Sequence, residues 1–332
     1  MQICERNDIS NTKIISFVIP VKNDAKRLQS CLESIALQNV SGINKEIIVL
    51  DNGSIDNSLE VASGMGAIVK SAPELSVAQL RNMGAFSSKG EFIAFVDADH
   101  VLSANWLADG LDAINEPGCG IAGALCISPS STWVQRAYDR FRRRPDVKME
   151  VEWLGSGNML IQKGLFLKLN GFDESLETCE DVDLCQRARK NGWRIIADPN
   201  IVSVHFGDPA TLKSLFLGEL WRGRNNLRVT MKGPITLRAI LSLIVSALSL
   251  PGFVLTLVGI FMQLCGITSG LWILLLGATL VAAPAVLRCF FMSCGNMRVL
   301  FAFENFIFTV TYNLARSLAL VTSVSHNTRR DK

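Results

Sequence analysis

Between Arg238 and Arg288 the sequence has no charged residue, a gap of about 49 positions in a chain of 332. No water-facing surface can be built from such a stretch, and nothing else in the chain is large enough to bury it. A bilayer-spanning helix needs about 20 apolar residues, so there is room for two. The nine cysteines contain no CxxC pair. That absence argues against a zinc ribbon or a dithiol redox centre and leaves free, mostly buried thiols of a reducing compartment. The opening segment MQICERNDISNTK has no apolar core. A signal peptide of the usual type is therefore not expected, and the first domain should stay in the cytosol.

What charge there is divides unevenly. Residues 1–206 carry 21 Lys/Arg against 26 Asp/Glu, and residues 207–332 carry 12 against 4. A basic segment that flanks and alternates with apolar spans suits the cytoplasmic face of a membrane better than nucleic acid.

Through about residue 100, strand and helix patterns alternate. Ile14–Pro20, Glu46–Leu50, Ala67–Lys70 and Glu91–Val96 are short apolar runs without in/out alternation. Between them, Asp24–Gln38, Asp56–Gly64 and Leu75–Ser88 carry helical spacing. Buried strands separated by helices predict an α/β fold with a mostly parallel, Rossmann-like sheet covered on both faces. Ligands of such sheets bind beyond the carboxyl ends of the strands. Three polar clusters fall there: Val21–Asp24, Asp51–Asp56 and Asp97–His100. Residues Pro129–Val151, with the run Arg142–Arg144, read as a mobile basic loop, either solvated or in contact with phosphate or membrane. Ile240–Gln263 and Gly266–Leu287 read as a hairpin of two transmembrane helices. The uncharged join Gln263–Gly270, with Lys232, Arg238, Arg288 and Arg298 at the outer ends, places those ends in the cytosol. Val299–Val324, interrupted by Glu304, Asn305, Asn313 and Arg316, is either an interfacial helix or a third helix packed on the hairpin.

Asp97 and Asp99 stand at i and i+2 after a buried strand, where both carboxylates can face one hard divalent cation. Such a cation neutralises a departing diphosphate. Asp51 follows another strand and can accept hydrogen bonds from a base or ribose, with Gly53 permitting the turn and Ser54 or Asp56 capping the next helix. Glu180, Asp181 and Asp183 open a further helix. Capping accounts for acids there, yet one of them can act as a general base toward an acceptor hydroxyl.

The stretches FVIPVKND, EIIVLDNGSIDNS, QLRNMGAFSSKGEFIAFVDADH, LGSGNMLIQKGLFLKLNGFDE, CEDVDLCQRARKNGWRI and VHFG occur in this order over about residues 14–230. In this the chain resembles glycosyltransferase family 2, inverting enzymes with a GT-A nucleotide-sugar-binding fold. The resemblance implies that Pro20, Lys22 and Asp24 lie near the nucleotide, that Asp51 binds its base, and that Arg81 approaches the ribose or diphosphate. It implies that Asp97 and Asp99 hold donor and metal (Mg²⁺ or Mn²⁺), with His205 a further metal or diphosphate ligand. Gly157, Asn158 and Glu180 would line the acceptor side, and Asp181 would be the catalytic base. Arg222 and Arg224 would contact either the diphosphate or lipid headgroups. The Gln-x-x-Arg-Trp signature of processive synthases is missing around Glu219–Asn225, which argues against processive synthesis.

The expected organisation is an N-terminal tail (1–13), a GT-A catalytic domain (14–206), a basic juxtamembrane helix (207–234), two transmembrane helices (235–288) and a third helix with a basic tail (289–332). The expected partners are a nucleotide-sugar, with UDP the favoured nucleotide, a lipid-linked or saccharide acceptor, and the cytoplasmic membrane, without nucleic acid. A polyprenyl-phosphate sugar synthase and a non-catalytic nucleotide-sugar-binding scaffold are the competing readings.

Overall fold

The computed structural model describes residues 13–142, 145–233, 237–292 and 299–330. The N-terminal tail up to residue 12, Arg143, Arg144, Arg298 and Lys332 lie outside the described residues, as do the side chains of Arg238, Arg329 and Arg330. The chain forms two compact units, and they do not follow chain order. Residues 128–143 and 176–179 group with the C-terminal helices, and the remainder up to Gly207 forms the first unit.

The first unit opens with β1 (Lys13–Val21), α1 (Ala25–Ala36), β2 (Ile43–Asp51), α2 (Ser58–Gly64), β3 (Ile68–Ser71), α3 (Val77–Ser87) and β4 (Phe92–Val96), alternating as expected. Next come β5 (His100–Leu102), α4 (Trp106–Ile114) and β6 (Cys119–Gly123). After α5 (Trp133–Arg142), a helix of the second unit, the first unit resumes with β7 (Met149–Glu150), β8 (Asn158–Gln162), α6 (Lys163–Lys168), α7 (Glu180–Lys190), β9 (Arg194–Ala197) and β10 (Ser203–His205).

The main sheet has the order β3-β2-β1-β4-β8-β6-β9-β7. Only β8 and β7 run against the other strands. The apolar runs explain this architecture. Along β1, Phe17 and Ile19 pack into one core with Leu28 and Leu32 of α1, while Val18 packs into the other with Ala78 and Leu80 of α3. Each strand thus buries both faces, which requires helices on both sides. The chain order reverses at β1: β2 and β3 extend one way and β4 the other. The crevice beyond the ends of β1 and β4 is the switch point where such sheets take ligands. Register places Val21 beside Asp51, and Asp51 beside Ser71, along that rim.

Residues 129–151 do not form the irregular loop expected. Trp133–Arg142 is an amphipathic helix whose Val134, Ala137 and Tyr138 pack with Leu215 and Phe308. Arg142 is bound to Asp208 rather than solvated.

The second unit adds α8 (Leu212–Arg222), α9 (Asn226–Lys232), α10 (Leu237–Leu264), α11 (Gly270–Met292) and α12 (Val299–Arg330). Where one juxtamembrane helix was expected there are two. Asn225 breaks it, because its Oδ1 accepts the main-chain N–H groups of Glu177 and Thr178 at 3.0 and 3.1 Å. Two stretches, Ile240–Leu264 and Gly270–Cys289, are long and apolar enough to cross a membrane. Their contact is made by glycines. A Cβ on Gly252 would lie 2.7 Å from that of Leu280, and Gly259 and Gly277 abut the backbone of the opposing helix. Small residues that let backbones approach are how helices associate in lipid, where no hydrophobic drive exists between them. The outer faces stay bare, with Trp272 74% and Leu257 52% exposed. α12 packs on both spans and on α8 and α5, so it is a third helix laid on the hairpin.

In β6, a Cβ on Gly123 would collide with the main-chain oxygen of Asn158, which has nowhere to move. Gly123→Ala should therefore lower the stability of the first unit by about 1–3 kcal/mol or more. Gly64→Ala, with open space at its Cβ, should be neutral or slightly stabilising. Thermal unfolding of the two variants checks this, and equal midpoints would contradict the close β6–β8 approach.

Candidate donor and metal site

The rim of the crevice is stitched together by short polar side chains. Asp51, almost fully buried, accepts the N–H of Gly53 at 3.0 Å and that of Ser54 at 3.1 Å. Its carboxylate, expected on the base, thus already holds its own turn. Asn23 takes the N–H of Ile55 on its Oδ1 and gives its own N–H to Ser54 Oγ, tying the end of β1 to the end of β2. Asp56 accepts from Ser58 and from Ala25 N–H, so it closes the starts of both α1 and α2. Pro20 is half-buried in β1, Lys22 is exposed beside it, and both oxygens of Asp24 are held by Arg27 at 2.8 Å.

At the end of β4, Arg81 reaches out of α3 and is 3% exposed. It donates to Asp97 Oδ1 at 2.6 Å and to Glu180 Oε1 at 2.7 Å. Expected against the ribose or diphosphate, Arg81 instead has both amino groups committed to carboxylates. Burial disfavours ionisation of Asp97, but the charges of Arg81 and His100 outweigh it and hold the carboxyl below its ordinary value.

Asp99 lies against two imidazoles. The ribbon of β5 and β10 sets His100 opposite His205. His205 Nε2 is 3.2 Å from Asp99 Oδ2, and His100 Nε2 is 3.9 Å from Asp99 Oδ1. One ligand atom from each of the three side chains lies within 4.8 Å of the others. Here too burial opposes ionisation of Asp99, and the hydrogen bond and charge of His205, with His100 and Arg27 nearby, overcome it. The three fit a divalent cation. A Cβ on Gly207 would collide with Asp99 Oδ2 and come 2.9 Å from His205 Nε2, so only glycine leaves this cradle open. One carboxylate with two imidazoles suits a transition ion better than Mg²⁺, which prefers oxygen alone. Asp97, expected to share the metal, stands outside this triad. His100 was not among the expected ligands. Its only sequence signal is its place directly after Asp97-Ala98-Asp99.

On the other side stands Asp181 at the start of α7. It accepts N–H groups from Val182 at 2.8 Å and, weakly, from Ser156 at 3.4 Å. Burial and the neighbouring charge of Glu180 push its carboxyl up to about 7, more than those N–H groups and Arg81 lower it. The segment between the two groups of acids is Gly155-Ser156-Gly157, with small residues only. A Cβ on Gly155 would lie 3.8 Å from Asp181 Oδ2, and one on Gly157 would lie 2.7 Å from Asp97 Oδ2. Two residues span at most about 7 Å, so a floor without large side chains joins the two carboxylates. Asn158, expected beside the acceptor, is fully enclosed. Its amide gives its N–H groups to Ala124 and Ile201 and accepts from Trp106. Arg222 and Arg224 belong to the second unit, where Arg222 is bound by Glu219 and Tyr138, and Arg224 by Glu177.

A mostly parallel sheet with its switch point at β1 and β4, and a short acidic loop after β4, define a GT-A-like α/β domain. The sequence profile for glycosyl transferase family 2 matches residues 16–172. The chain is 26% identical over 250 residues to glycosyltransferase AglE of Haloferax volcanii, covering 70% of this chain and 80% of that one. It is 25% identical over 205 residues to the pre-mycofactocin glycosyltransferase of Mycobacterium tuberculosis, covering 58% of this chain and 42% of that one. Among solved structures, a mannosyltransferase from Pyrobaculum calidifontis in complex with GDP-Man and Mn²⁺ shares the fold at a TM-score of 0.60 and 14% identity. That likeness covers 94% of this chain and 87% of the other. Residues 16–172 thus form a domain of glycosyltransferase family 2.

Removing Arg81 leaves Asp97 and Glu180 without their cation, and breaking a buried pair from one side costs about 3–5 kcal/mol. Arg81→Met should therefore lower the thermal midpoint markedly, while Arg27→Met, which removes an exposed ion pair, should change it little. Similar midpoints for the two variants would show that Arg81 is not the buried tie described.

Proposed function

We propose that this glycosyltransferase moves a sugar from a nucleotide-diphosphate donor to a hydroxyl of a lipid-linked saccharide, with inversion, at the cytoplasmic face of a membrane. The observation that carries the reading is the placement of two kinds of acid across one glycine floor. Asp97 and Asp99 are held ionised, and Asp181 is poised to take a proton.

In this reading Lys22, Asp24 and Asp51 shape the nucleotide side, and Asp97 and Asp99 face the diphosphate. A divalent cation held by Asp99, His100 and His205 would neutralise charge on the departing diphosphate; the Mn²⁺ in the Pyrobaculum enzyme supports that ion. Asp181 accepts the proton of the acceptor hydroxyl. That oxygen attacks the anomeric carbon from the face away from the diphosphate, whose bond to carbon breaks as the new one forms. Positioning and charge stabilisation supply most of the barrier reduction. The raised Asp181 favours a hydroxyl acceptor over a polyprenyl phosphate, since an anionic nucleophile needs no base. The two bare apolar helices support a lipid-borne acceptor, and the chain should stay with carbonate-washed membranes. A donor panel of UDP-, GDP- and dTDP-sugars, read by thermal shift with Mn²⁺ present, would name the nucleotide.

Asp181→Asn should abolish transfer while leaving donor affinity nearly unchanged; full activity in that variant would end the assignment. The pH dependence has a definite sign. A base works only after losing its proton, so kcat/KM should fall as pH drops through about 7, where Asp181 protonates. Glu180 raises that value, so Glu180→Gln should shift the acid limb to lower pH. A pH–rate profile with an unmoved limb would show that the limb belongs to another group.

A further inference from the structure

The metal reading needs His100 to turn a bare nitrogen toward Asp99, and an imidazole can carry its single proton on either nitrogen. Which one is settled by what the far nitrogen binds. Here His100 Nδ1 is 2.8 Å from Ser203 Oγ, and both residues are buried. Cys126 Sγ also approaches Nδ1, at 3.8 Å, as a longer and weaker contact. The ribbon makes this meeting. His100 is opposite His205, and Ser203, two residues earlier on β10, lies on the same face of the strand as His205. Ser203 is therefore the diagonal neighbour of His100, within reach of its ring. The ring cannot drift the other way without losing its fit. A Cβ on Gly157 would lie 3.0 Å from both Cε1 and Nε2 of His100, so the edge carrying Nε2 fills the space that glycine leaves.

We infer that Ser203 is a positioning residue for the metal site: it accepts the Nδ1–H of His100 and so holds Nε2 unprotonated and aimed at the ion bound by Asp99 and His205. The inference rests on the reading of these three side chains as metal ligands. It gives a role to a serine that touches neither ion nor donor, and it makes the ribbon, with Ser203 and His205 on one strand and His100 on the other, the unit that builds the nitrogen half of the site.

The test separates Ser203 from the metal reading itself. The chain contains three histidines, so ¹⁵N-histidine NMR of the metal-stripped full chain in detergent, above about pH 8 where an ordinary imidazole is neutral, can resolve them. The expected result is His100 with its proton on Nδ1. A proton on Nε2 would overturn the inference, whether or not any variant folds. In calorimetry with Mn²⁺ alone, Ser203→Ala should bind about 10–100-fold more weakly than wild type, and Ser203→Thr, which keeps the hydroxyl, should recover most of the loss. Unchanged Mn²⁺ affinity in a folded Ser203→Ala, with affinity lost in His100→Ala, would sink the role of Ser203 and leave the metal reading standing. No Mn²⁺ binding by wild type, or equal binding by wild type and His100→Ala, would instead sink the three-ligand reading.

Discussion

The tie made by Arg81 is what the site depends on. One guanidinium, with almost no exposed surface, binds Asp97 at the end of β4 and Glu180 at the start of α7. Without it, three acids, Asp97, Glu180 and Asp181, would share a partly buried region with no opposing charge among them, and mutual repulsion would drive the loops apart or force protonation. With it, the loop after β4 and the first turn of α7 are held in a fixed relation. A strand end and a helix start, about 80 residues apart in the chain, become one surface. The glycine at 157 matters for the same reason: once the two elements are drawn together, a Cβ there would lie 2.7 Å from Asp97 Oδ2, whereas one at Gly155 would meet Asp181 at ordinary contact distance.

The parts legible in the sequence are those that depend on neighbouring residues. An apolar run followed by polar residues marks a buried strand and its end, so β1 to β4 and their terminal acids could be located from Phe17, Val49 or Phe95 and the polar residues after each. The features that could not be read depend on distant partners. Arg81 suggested a phosphate ligand because its carboxylates are 16 and 99 residues away. Asn158 suggested an acceptor contact because nothing local shows that its amide will be enclosed in β8, where Trp106 and two main-chain carbonyls use it. The helix at 133–142 was hidden by its own basic residues. Its apolar stripe of Val134, Ala137 and Tyr138 is short, and the Phe308 that covers it lies some 170 residues further on. His100 was passed over because strands of three residues, β5 and β10, carry too little pattern to announce that they pair.

The second unit carries the opposite pattern. In the first unit the strands bury their apolar residues on both faces, and glycines serve turns and close approaches. In the helices α10 and α11 the large apolar residues face outward, and glycines line the contact between helices. The two patterns exclude each other in water, since a surface carrying Leu257 and Trp272 would associate without limit. The inversion suits two helices long and apolar enough to cross a membrane, and it is written in the composition: no charge for about 49 residues, with small residues recurring at 252, 259, 270 and 277.

The proposed chemistry needs carboxylates that behave in opposite ways, and the fold supplies the difference without changing the residue type. Asp97, Asp99 and Asp181 all suffer burial, which by itself raises an acid toward protonation. Around Asp97 that effect is overcome by Arg81, and around Asp99 by the His205 hydrogen bond and by the imidazoles as they stand, protonated, in the acid range where a carboxyl titrates. Asp181 has a like charge beside it in Glu180, and the arginine that could relieve it is already shared between Glu180 and Asp97. Arg81 thus bonds directly to Asp97, where charge must persist, and acts on Asp181 only through space, where burial and Glu180 outweigh it. Two carboxylates with environments that push them apart are the arrangement by which one site holds a fixed anion and a working base at the same pH, and here the guanidinium that bonds Asp97 also holds Glu180, the acid that raises Asp181.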